Sequence, residues 1–229
     1  MSGLVHNDVS ALVMVNYLAL VGLTIGGASQ PSRNNHEKWE WDTISEMITR
    51  DDRIKHGFVL FVLFSVIAIY FVIYLLLLRT KRMNELYHKQ CNPMETMATY
   101  AAWISYAVAS VTLLGVGVVS TDLDTPTHTT LASVSFVSLL LTSMFLATSM
   151  HGHTKYHPAW VYACVAGGAG AALALVVTDC DQFYWEYVLV TLVHVSFLIL
   201  SYGKQECGPF SVVAILDVHP MQPSHSLRL

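Results

Sequence analysis

The chain alternates between long apolar stretches and shorter polar ones. Six stretches, 11–27, 56–78, 97–119, 128–150, 159–178 and 184–202, hold one charged residue between them, Glu186. A helix rises about 1.5 Å per residue, so about 20 apolar residues cross a hydrocarbon core of about 30 Å. The first stretch is the shortest, and Val5 to Ser10 extend it toward that length. An unpaired charge at mid-bilayer costs about 3 kcal/mol or more, which is why the charges collect between the stretches. The run from Gly57 to Leu78 is broken only by Ser65, Tyr70 and Tyr74. It lacks the polar face that a helix of a soluble bundle turns to water. The pattern therefore predicts an all-α fold: a polytopic membrane protein with six transmembrane helices in one bundle. Residues 1–229 form a single transmembrane domain, with an outer loop at 28–55 and a cytosolic tail at 203–229.

Composition agrees. The chain is 54% hydrophobic and 12% charged, where a soluble domain carries about 25% charged residues. That excludes a disordered chain and argues against a soluble enzyme. A net charge of −4 gives no electrostatic reason to bind nucleic acid.

The charges also predict orientation. With six spans, both termini share a side. That side holds the basic residues Arg79, Lys81, Arg82, Lys89, Lys155, Lys204 and Arg228. The opposite side holds five basic residues, Arg33, Lys38, Arg50, Arg53 and Lys55, and gathers ten acids: Glu37, Glu40, Asp42, Glu46, Asp51, Asp52, Asp122, Asp124, Asp179 and Asp181. The positive-inside rule then places both termini in the cytoplasm, with Arg79-Thr80-Lys81-Arg82 marking the inner end of span two. Trp160, Tyr184 and Trp185 fall at span ends, where amphipathic rings favour the interface. No basic segment precedes span one, which reads as a signal anchor rather than a cleaved signal peptide.

Candidate chemistry is sparse. Polar groups inside spans are expensive in lipid and so are the natural candidates. His194 lies mid-span in the sixth stretch, Glu186 eight residues earlier on roughly the same face, and Asn16 mid-span in the first. Each has two readings: a site facing a head group, substrate or proton path, or a helix–helix hydrogen bond worth about 0.6–2 kcal/mol. The four cysteines contain no Cys-x-x-Cys pair, and there is no phosphate loop, nucleophile motif or His-Glu-x-x-His. No catalytic residue, metal ligand or cofactor is expected. His56 and His128 open spans two and four, and His88 and His157 flank spans three and five, in an order resembling the di-haem transmembrane cytochromes b. Haem b ligands there lie inside the helices, whereas these lie at or beyond the ends. His151, His153 and His157 lack a nearby acid or cysteine to complete a metal set. Gly115, Gly117 and the run Gly167 to Ala172 read as close helix packing.

The pattern of loops and spans resembles the damage-regulated autophagy modulator (DRAM) family, which includes a remodelling factor for GPI-anchored proteins. The residues that carry the likeness are Ile44-Ser45-Glu46 and Arg50-Asp51-Asp52 before His56, Gly115 and Gly117 before His128, and Trp185-Glu186-Tyr187 opening the last span. It covers about residues 40–202. Departures are Glu46 where the family has Asp, and the absence of its Pro-Glu pair before helix two. The resemblance implies six helices with cytosolic termini, membrane lipids as partners, and a role without catalysis in endomembrane lipid or GPI-anchor handling or autophagy-related signalling. It implies a Golgi, lysosomal or plasma-membrane location. It also implies a polar site at Ser45, Glu46, His128 and Glu186, in which the loop triplet orders over the helix ends. Two alternatives stay open. One is a structural accessory subunit of a large assembly such as a mitochondrial inner-membrane respiratory complex, its short apolar segment Phe210 to Leu216 docking on other subunits. The other is a di-haem electron carrier.

Overall fold

The computed structural model describes residues 8–28, 52–86, 92–119, 125–151, 158–177 and 182–201. These form six helices: α1 (Asp8–Ala28), α2 (Asp52–Leu86), α3 (Pro93–Val118), α4 (Thr125–Ser149), α5 (Ala159–Val177) and α6 (Gln182–Ser201). Each coincides with one apolar stretch, and no strand occurs among the described residues. The protein is an all-helical, polytopic membrane bundle. Five helices contain a segment long and apolar enough to cross a bilayer: Val9–Gly26, His56–Lys81, Pro93–Val118, Pro126–Ser149 and Tyr184–Ser201.

Two boundaries differ from the expected ones. The apolar part of α5 is only Ala159–Leu175. At about 1.5 Å per residue the whole of α5 spans about 28 Å, just under the hydrocarbon thickness. In contrast, α2 does not stop at its basic cluster. It runs on to Leu86, with Arg79, Thr80 and Asn84 buried and Lys81 and Glu85 exposed. Charge ends the apolar stretch but not the helix, because Arg, Lys, Met and Leu are all good helix formers.

The start of α3 shows how sequence sets a helix end. Asn92 caps it, its Oδ1 accepting from the Met94 amide at 3.1 Å, with Pro93 in the first turn and Glu95 beside the positive end of the dipole.

The helices pack in chain order around a ring, with α6 returning to α1. The α3–α4 hairpin is the most extensive contact, followed by α5–α6; α6 also touches α4 and α2. One main core runs through the bundle, built on Ile73, Leu76, Leu146, Met150, Leu189 and Leu200, all fully buried. The opposite faces carry exposed apolar side chains, such as Leu18, Leu60, Ile67, Ile104 and Val111. Such faces suit a hydrocarbon solvent.

Hydrogen bonds join the helices as lipid demands. Ser135 Oγ donates to Thr112 Oγ1 at 2.8 Å, and Thr99 and Ser149 hydroxyls meet at 2.6 Å, both between α3 and α4. Tyr106 Oη donates to the Val66 carbonyl of α2 at 2.6 Å. Small residues allow close approach: a Cβ on Gly168 would stand 2.7 Å from Leu140 Cδ1, and one on Gly115 3.0 Å from Leu131 Cδ1.

Candidate functional site

Three polar side chains from three helices meet near mid-depth. Asn16 lies within about a turn of the centre of α1, Ser65 of the apolar segment of α2, and His194 of that of α6. Asn16 Nδ2 donates to Ser65 Oγ at 2.8 Å, and Ser65 Oγ donates in turn to the Phe61 carbonyl one turn back at 2.8 Å. On the other side of the amide, His194 Nε2 lies 3.0 Å from Asn16 Oδ1. His194 Nδ1 donates to the Val190 carbonyl at 2.8 Å, which fixes the ring against its own helix. Tyr17 packs its ring on the imidazole, centroids 5.1 Å apart, and its hydroxyl shares a hydrogen bond with Thr191 at 3.1 Å.

The cluster forms one wall of a cavity of about 90 Å³. The rest is apolar, from α1, α2, α3, α4 and α6, with Phe58, Phe61, Phe136 and Phe197 the largest side chains. Glu186 reaches the same cavity. Glu186 and His194 therefore share a face of α6, as their spacing predicts. Among the described residues, the polar side chains in the lining are Asn16, Ser65, His194 and Glu186. A mostly apolar hollow with a few convergent polar groups is the usual form of a small-molecule site.

Of the other expected site residues, His128 lies among the described residues. His128 is buried near the start of α4, and its Nδ1 donates to the Val119 carbonyl just past the end of α3. It ties the ends of the α3–α4 hairpin together. Ser45 and Glu46 lie outside the described residues, as do His88, His157 and the segment Phe210 to Leu216. Among the described residues, no group of three or more His, Cys, Asp or Glu side chains is placed to hold a metal ion.

Ser65 is the member that sequence reasoning missed. A lone serine in an apolar helix satisfies itself on the carbonyl four residues back, as Ser65 does, so its presence says little. The available signal was depth: Asn16, Ser65 and His194 each stand near the middle of a separate span.

Compared with known proteins, the chain matches no protein-family model, no curated sequence and no solved structure.

Proposed function

We propose that this chain is a non-catalytic multi-pass membrane protein that handles lipid in endomembranes, and that the cavity beside α1, α2 and α6 is where it holds a lipid chain. The observation that carries the reading is the lining of that cavity. Its walls are aromatic and aliphatic, and its few polar groups gather at Asn16, Ser65, His194 and Glu186. An amphipathic ligand needs both surfaces: an apolar slot for a chain, and polar partners for an ester, hydroxyl or amide. The order of six helices and the sequence likeness to the damage-regulated autophagy modulator family support the same reading. In it both termini face the cytosol and the loop 28–55 faces the lumen.

The test is lipid retention. Ala68 is buried on α2 and lines the cavity. Ala68→Trp fills it, and Val72→Phe, at a second buried lining position, fills it more gently. Native mass spectrometry of the protein released from detergent micelles should show a retained lipid on the wild type. Both variants should lose it while keeping their helical circular dichroism. Equal lipid occupancy in wild type and both folded variants contradicts the reading.

A further inference from the structure

We propose that His194, Asn16 and Ser65 form an intramembrane proton-binding site, in which one added proton reverses the direction of their hydrogen-bond chain. The proposal rests on who can donate. A carbonyl only accepts, so the bond from His194 Nδ1 to Val190 puts a proton on Nδ1. Asn16 turns its Nδ2 toward Ser65 and its Oδ1 toward His194 Nε2. Oδ1 also only accepts, so Nε2 must donate as well. An imidazole that donates from both nitrogens is the imidazolium cation. With the amide in this orientation, the three residues satisfy the charged ring.

The same three residues also satisfy the neutral ring. Turning the Asn16 amide by about 180° exchanges its oxygen and nitrogen with little change of shape. Nδ2 then donates to the bare Nε2, and Oδ1 accepts from the Ser65 hydroxyl, which leaves the Phe61 carbonyl to its helical partner. No side-chain group of the three is orphaned in either state, so neither carries the cost of a buried unsatisfied polar atom. The proton adds to the Nε2 lone pair and leaves from the same nitrogen; no bond between heavy atoms changes. A site of this kind differs from a plain helix–helix contact, in which one polarity alone is satisfied.

The surroundings supply what a cation in lipid needs. Among the described residues, Glu186, about 12 Å before His194 along α6, is the one carboxylate lining the same cavity. The Tyr17 ring of α1 lies tilted at 52° to the imidazole with centroids 5.1 Å apart, within the distance range of a cation–π contact. Tyr187 stands about two turns before His194 on α6. The cavity residues contributed by α2, α3 and α4 include no ionisable side chain. Proton binding does not depend on the lipid reading, and a protein that retains no lipid would still show it.

The experiment is solid-state nuclear magnetic resonance on the full chain in lipid vesicles, with ¹⁵N-labelled histidine. The His194 signals are those missing in His194→Gln. As pH falls from about 8 to about 4, Nδ1 should stay protonated while Nε2 passes from bare to protonated. In Asn16→Leu, which removes the Nε2 acceptor, the charged-to-neutral ratio at a fixed pH should fall about tenfold. In Glu186→Gln it should fall as well, with Asn16 and Ser65 untouched, so the test survives if the first variant fails to fold. The proposal is overturned if Nε2 keeps one protonation state across the range, or if the folded variants titrate as the wild type does.

Discussion

Asn16 is the residue on which three helices turn. It accepts from or donates to His194 on α6 and donates to Ser65 on α2, so its loss breaks two interhelical bonds at once. Such bonds in membranes are worth about 0.6–2 kcal/mol each. We therefore expect Asn16→Leu to lower stability by about 1–3 kcal/mol in reversible unfolding from mixed micelles. Combined with His194→Leu, the double-mutant cycle should show a coupling of about 0.5–2 kcal/mol. Strict additivity would mean the bond between them contributes nothing. His128 is a different kind of polar residue. It bonds to a carbonyl at the end of the preceding helix, so His128→Ala should cost about 1 kcal/mol and raise amide exchange in the first turn of α4. Lipid retention should be unchanged, since His128 does not line the cavity.

Among the helices, α3 and α4 form the most strongly joined pair. Hydroxyl bonds at Thr99–Ser149 and Thr112–Ser135, and the His128 tie, hold it at both ends and the middle. α5 joins α4 through a hydroxyl bond, Tyr162 to Thr148 at 3.0 Å, and otherwise by shape. Gly168 lets it approach Leu140 of α4, and any Cβ there must displace a buried leucine. Gly168→Val should cost about 1–3 kcal/mol through overpacking, measured by the same unfolding assay. Gly170 has open space in place of a neighbour, so Gly170→Ala should be tolerated. Equal losses at the two glycines would contradict the packing described here. The overrun of α2 shows that the end of an apolar stretch is a membrane boundary and not a helix boundary.

At the scale of the whole molecule, helix number and order were legible because lipid forbids charge: every charged residue but Glu186 falls outside the six stretches. The candidate site was legible only in parts. His194, Asn16 and Glu186 stood out as polar groups in apolar runs, but the bond joining Asn16 to His194 crosses 178 positions of sequence. Nothing local specifies such a pairing; it arises from the ring closure that brings α6 back to α1. His128 bonds to the Val119 carbonyl at the end of α3; the loop triplet it was expected to meet lies outside the described residues. Orientation has its own check. Trp41→Asn creates an Asn-x-Thr acceptor with Thr43 in the loop 28–55, well clear of both flanking spans. Expressed in a eukaryotic cell, that variant should gain a glycan removable by glycosidase, and Ser224→Asn, which pairs with Ser226 in the tail, should not.

The most direct test of the central claim is to map where a lipid chain touches the protein. A phospholipid with a photoreactive group near the end of its acyl chain is irradiated in vesicles holding the wild-type protein, and adducts are located by peptide mass spectrometry. Any membrane protein will be labelled on outward residues such as Leu18, Leu60 and Ile67. The account predicts additional adducts on cavity residues, such as Leu12, Phe61 and Val190. Labelling confined to the outward faces, with none in the cavity, would contradict it.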